Sequence, residues 1–331
     1  GSVSVWIEEN ILRSTGFLGR ISLVFTLKEL PLKDCGSFLV QKQNPLSAYE
    51  QFKILSVTGG IPRYLEEVQS TLSAEENIKR LCFSKQGILF REFNDIFSDL
   101  FSKRSSIYKD IVSVLVEGNA EYNAICQKLN MPKSGHLSEM LNDLIQSGFI
   151  SRDYTWHLKS GLESRLSHYR LSDNYLRFYL KYIEKNQRKI ESDHFNARSI
   201  ASLPGWDSIM GLQFENLVLN NRKQIWETLH IHPEDILSDN PFFQRTTTKT
   251  PGCQIDYLIH TRFNTLYVCE IKFCKHPLGS TVVSEVQQKI DRLKRPKGFS
   301  CRPVLIHVNG VSDQVLDSAF FVDVIDFGVL L

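Results

Sequence analysis

A chain of 331 residues with 42% hydrophobic and 23% charged residues has an ordinary globular composition, sized for two or three domains, which excludes disordered and collagen-like sequence. Lys and Arg total 39 and Asp and Glu 37, so a net charge of +2 leaves any attraction for an anionic partner to local patches. No apolar run reaches the roughly 20 residues that span a bilayer. The start, Gly1-Ser2-Val3-Ser4-Val5-Trp6, lacks the basic-then-apolar layout of a signal peptide. A cytoplasmic protein with no membrane partner is therefore expected. The missing initiator Met adds the expectation of a fragment, a processed product or an engineered piece. Seven cysteines without a CxxC pair are expected to be reduced thiols rather than zinc ligands.

In chain order, residues 6–12 read as a short helix and 21–27 as a β-rich run. A helix is expected over 47–56. Gly59-Gly60-Ile61-Pro62 then forces a break before a helix at 63–70. Ser73-Ala-Glu-Glu76 is a capping box opening another helix. Leu89, Phe90, Phe93, Ile96, Phe97, Leu100 and Phe101 trace one helical face, read as core. Residues 34–103 thus form a small helical unit.

After the basic, polar break at 102–106 come a helix with Ile107, Ile111, Val114 and Leu115, a short helix at 122–129, a turn at Asn130-Met131-Pro132 and a helix at 135–147. A hairpin follows, starting at Phe149-Ile150 and returning through Tyr169-Arg170-Leu171. This is the order of a winged helix over 104–172. In such a fold the third helix enters a DNA major groove, where Lys133 and His136, with Ser134, Ser138 and Glu139, are the groups on offer. A protein-packing role is equally open, because fold does not settle function. A long helix is expected over 173–189, with Tyr175, Phe178, Tyr179 and Tyr182 on its buried face, then a linker to 204.

The last segment, 205–331, reads as a helix from Gly211 through Trp226, a polar loop, and a β-hairpin of 254–259 and 266–273. A helix at 281–293 and a strand at 303–308 complete an α-β-β-α-β order. Glu270 and Lys272, two apart on one strand, point to the same face. Asp256 opens the partner strand, and Glu215 comes from the preceding helix. Carboxylates suit Mg²⁺ or Mn²⁺, and such an ion activates water and stabilises charge on a phosphodiester. Lys272 is placed to orient or deprotonate the water, or to offset transition-state charge. The basic run Lys289, Arg292, Lys294, Arg295, Lys297 and Arg302 is either a phosphate-contacting patch or a solvated helix end.

Asp256 followed by Glu270-Ile271-Lys272, after helical Gln213-Phe214-Glu215, resembles the PD-(D/E)XK nuclease motif. The resemblance implies a restriction-endonuclease-like α/β domain in which Asp256 and Glu270 are metal ligands and Glu215 and Lys272 complete the catalytic set. The succession as a whole resembles the C-terminal portion of archaeal-type ATPases of the AAA/STAND-like group. That group implies the trailing end of a P-loop ATPase core (1–33), a helical lid (34–103), a winged helix-turn-helix (104–172), a connecting helix and linker (173–204) and the nuclease-like domain (205–331), a multidomain α/β and α+β protein. It also implies ATP in the full-length protein, with Arg20 near the γ-phosphate and Pro62 near adenine, a missing ATPase core in cis, and DNA as partner; oligomerisation stays open. No GxxxxGK[ST] occurs, so this chain is expected neither to bind ATP tightly nor to hydrolyse it. Two functions compete: a metal-dependent nuclease acting on DNA, and a non-catalytic regulatory or docking module linked to an ATPase. A transcription regulator working through 104–172 alone is a third.

Overall fold

The computed structural model describes residues 28–41, 46–93, 105–248 and 250–331. Arg20, residues 6–12 and 21–27, and the apolar positions Ile96, Phe97, Leu100 and Phe101 lie outside them. In chain order the elements are α1 (Leu32–Gln41), α2 (Ala48–Thr58), α3 (Pro62–Glu66), α4 (Ala74–Cys82), α5 (Ser105–Val114), α6 (Tyr122–Lys128) and α7 (Gly135–Gln146). The hairpin β1 (Ile150–Trp156) and β2 (Glu163–Leu171) follows, then α8 (Asn174–Phe178) and α9 (Gln187–Glu191). The last part holds α10 (Trp206–Asn220), α11 (Arg222–Thr228), β3 (Ile236–Gln244), β4 (Cys253–Thr261), β5 (Thr265–Phe273), α12 (Thr281–Arg292), β6 (Ser300–Val308), α13 (Asp313–Asp317) and β7 (Asp323–Asp326). Over the described residues the protein is mixed α/β, with two sheets.

The described chain divides into two units: 28–30, 57–152 and 169–203 belong to the first, and 31–56, 153–168 and 204–331 to the second. In the first unit Ser73 accepts from the Glu76 amide while Glu76 bonds back to the Ser73 amide, so the expected capping box starts α4. The Gly59-Gly60 break has a steric cause. A Cβ on Gly60 would lie 2.5 Å from the Leu30 carbonyl oxygen, and the Leu30 amide donates to Gly60 O at 2.8 Å. Pro62 then occupies the first turn of α3, where its missing N–H costs nothing.

The expected continuous helix over 173–189 is interrupted. Asp173 caps α8, but the path widens into a π turn at Tyr179–Ile183 and tightens into a 3₁₀ turn before α9. Every residue from 174 to 180 is buried, so this segment is enclosed on all sides instead of presenting one apolar stripe.

In the second unit the five-stranded sheet has the order β3-β4-β5-β6-β7, antiparallel across the first three strands and parallel thereafter. α10 packs on β5 and α12 on β4. Phe214 of α10 meets the rings of Phe52, Phe273 and Phe327 on one side of the sheet. Val282, Val286 and Ile290 of α12 pack with Leu258, Leu266, Val268 and Leu305 on the other. The expected polar loop between Trp226 and Gln254 is in large part the edge strand β3. Its ladder is irregular between Asn240 and Phe242, around Pro241, which an edge strand tolerates because the missing N–H faces no partner strand. Its polar residues are bonded: Arg222 reaches Asp239 and Asn240, and the Tyr257 hydroxyl donates to Asp239 at 2.7 Å.

The hairpin tip is part of this unit's core. Trp156 and Leu158 join the α12-side cluster, Trp156 meets Phe242 edge-on, and His168 stacks on Phe243. The Trp156 indole N–H donates to His260 Nδ1 at 3.2 Å, which requires a neutral imidazole. Burial accordingly lowers the His260 pKa below its ordinary 6.5. The unfolded chain takes up a proton near that value and the folded chain only at lower pH, so the His260 contribution to stability is lost as pH falls from about 6.5 through the folded value. Denaturant unfolding at a series of pH values is expected to show a shallower acid loss of stability for His260→Gln than for wild type; equal slopes would contradict this.

Candidate active site

The ion-binding candidates lie where β4 and β5 part. The described pairing of these strands runs from Thr261↔Thr265 to Tyr257↔Cys269. Beyond it the Asp256 carboxylate replaces a backbone acceptor, taking the Ile271 amide on Oδ2 at 3.0 Å. Leu266, Val268, Glu270 and Lys272 share one face of β5 by strand alternation, so the apolar floor under α12 continues into a charged end.

Five side chains meet there. Glu270 is 2% exposed and Asp256 12%. Lys289, from α12, places Nζ 2.5 Å from Glu270 Oε2 and 3.2 Å from Asp256 Oδ1. Lys272 Nζ lies 3.1 Å from Glu270 Oε1 and 3.0 Å from Glu285 Oε2, and Glu285 is 52% exposed. Burial pushes the Glu270 pKa up and the Asp256 charge adds to this, against the pull of Lys289 and Lys272. Burial opposes the charge of both lysines, yet Asp256 and Glu270 hold Lys289 above the ordinary lysine value, and Glu270 and Glu285 do the same for Lys272. In this arrangement Lys272 is a charged hydrogen-bond donor shared between Glu270 and Glu285.

The structure therefore brings Asp256, Glu270 and Lys272 together. Glu215 lies half-buried on α10, the helix packed on β5. Lys289 was legible in the sequence only as one member of a basic run; its bridging position, and Glu285 as the second carboxylate on Lys272, were not foreseen. Their signal is the α12 spacing: Glu285 and Lys289 are four apart, on a helix whose Val282, Val286 and Ile290 face the sheet. Arg292, Lys294 and Arg295 are exposed at the end of that helix and just beyond. Gln244 fastens this end by donating to Arg292 O and accepting from the Lys294 amide. Lys133 and His136 are exposed beside Ser134, the N-cap of α7. Pro62 is an exposed helix-start residue.

A divalent cation fits the donor chemistry in one respect: Asp256 Oδ1 and Glu270 Oε2 converge on a single cationic atom, the Lys289 Nζ. Among the described residues no group of three or more His, Cys, Asp and Glu side chains gathers to hold a metal. All seven cysteines are free thiols, and no described helix is long and apolar enough to cross a membrane.

No family model matches the chain. An uncharacterized protein of Methanocaldococcus jannaschii is 26% identical over 219 residues, which cover 65% of this chain and 46% of that protein. The matched part of the chain thus spans a little under half the length of that relative.

Burial ranks the charges of the cluster. Glu270→Ala leaves two ammonium groups without their buried partner and is expected to cost about 3 kcal/mol or more, whereas Glu285→Ala at the rim is expected to cost about 1 kcal/mol or less. Urea unfolding with chelator present measures both; a reversed order would contradict the assigned burial.

Proposed function

We propose that this chain is part of a longer archaeal-type ATP-binding protein and that its sheet unit is a PD-(D/E)XK-type, Mg²⁺- or Mn²⁺-dependent nuclease acting on DNA. The observation that carries the reading is the convergence of Asp256 Oδ1 and Glu270 Oε2 on one cation position, with Lys272 against the other Glu270 oxygen. A divalent ion there supplies Lewis-acid activation of water and neutralises charge on a phosphodiester. Asp256 and Glu270 hold it. Lys272, fixed by Glu270 and Glu285, presents N–H donors toward developing phosphate charge. Glu215 is assigned to the same set by the motif. Arg292, Lys294 and Arg295 extend positive charge from the site and suit backbone phosphates, so binding is expected to weaken steeply with salt. The helices at 105–146 followed by a hairpin support a winged helix, with Lys133 and His136 exposed for DNA. ATP, with Arg20 and Pro62 near it, belongs to the missing ATPase core in cis.

A second reading, a non-catalytic DNA- or protein-docking module, is supported by the described residues holding no group of three or more His, Cys, Asp and Glu side chains placed to bind one metal ion: Glu285 meets Lys272 rather than the Asp256–Glu270 cation position. Incubating the chain with single-stranded, duplex and branched DNA plus Mg²⁺ or Mn²⁺ separates the two. Nuclease function predicts cutting that falls roughly a hundredfold or more in Asp256→Asn and Glu270→Gln. Salt-sensitive binding without cutting, unchanged in both variants, would establish the docking reading instead.

A further inference from the structure

Each carboxylate of the proposed metal site has one oxygen committed to the protein and one turned to Lys289. Asp256 Oδ2 takes the Ile271 amide and Glu270 Oε1 takes Lys272, leaving Asp256 Oδ1 and Glu270 Oε2 for the Lys289 ammonium. The two oxygens a divalent ion would need are therefore the two that Lys289 occupies. Lys289 reaches them from α12, whose Val282, Val286 and Ile290 are anchored in the core, while its own side chain is 27% exposed and has a route to solvent. Two carboxylates that share one cationic atom repel each other across it, and the Lys289 ammonium offsets that repulsion.

The geometry points to Lys289 as a built-in counter-ion that holds Asp256 and Glu270 in ligating position in the metal-free protein and must be displaced when a divalent ion binds. This rests on the metal-dependent reading above and adds to it a residue that sets metal affinity. A unit charge tethered in the site competes with the incoming ion, so removing it favours the ion while loosening the empty site.

Mn²⁺ binding to the full chain by calorimetry, with Lys289→Met, Lys289→Gln and Asp256→Asn compared, tests this. Lys289→Met is expected to bind Mn²⁺ at least about tenfold more tightly than wild type and to melt at a lower temperature without metal. Arg292→Met, which removes an equal charge at the exposed end of the same helix, is expected to change affinity by no more than about twofold. A second measurement needs no variant. Reductive methylation of wild type followed by mass spectrometry is expected to modify Lys289 several-fold faster with saturating Mg²⁺ than with chelator. Metal binding through Asp256 that Lys289→Met and Lys289→Gln leave equal or weaker, or a Lys289 methylation rate unaffected by metal, would overturn the counter-ion role and leave the metal site standing. Absence of Mn²⁺ binding in every form, or equal binding in Asp256→Asn, would overturn both.

Discussion

A carboxylate buried to 2% exposure on an inner strand survives as an ion only if positive charge reaches it, and two lysines from different elements do so at Glu270. Lys272 comes from the same strand. Lys289 comes from α12, and its reach depends on where that helix lies on the sheet. Val282, Val286 and Ile290 fix the helix by apolar burial on the same surface. Core packing and charge neutralisation are thus one constraint: a helix slipped by a turn would lose the apolar fit and strand the carboxylates together.

How much of this was legible follows from how local each signal is. The β4–β5 hairpin and the shared face of Glu270 and Lys272 follow from strand alternation, a property of neighbours in sequence. The capping box at Ser73 and Glu76 is equally local, and both appear as expected. The strand over 236–244 did not read as one because Ser238, Asp239, Asn240 and Pro241 are poor strand formers. Their polar groups are satisfied by Arg222, by Tyr257 and by the hairpin carbonyls of Gly161 and Tyr154, partners far away in the chain.

Lys289 shows the same limit at the site. Its charge and its helix were legible; the inward direction of its side chain was not, because only the neighbouring strands reveal what it meets. The hairpin tip is similar. Alternation shows two strands, while the role of Trp156 as a core residue beside Phe242 and His260 depends on a sheet formed about a hundred residues later.

That hairpin has a consequence for how the molecule can be taken apart. The sheet unit is assembled from three separate stretches, 31–56, 153–168 and 204–331, so the chain leaves it and returns twice. Trimming at residue 204 would discard the indole of Trp156 from one face and the ring of Phe52 from the other, opening holes on both sides of the sheet. The sheet unit is accordingly not a module that recombination could lift out in one piece; it can be inherited only with the segments threaded between its parts.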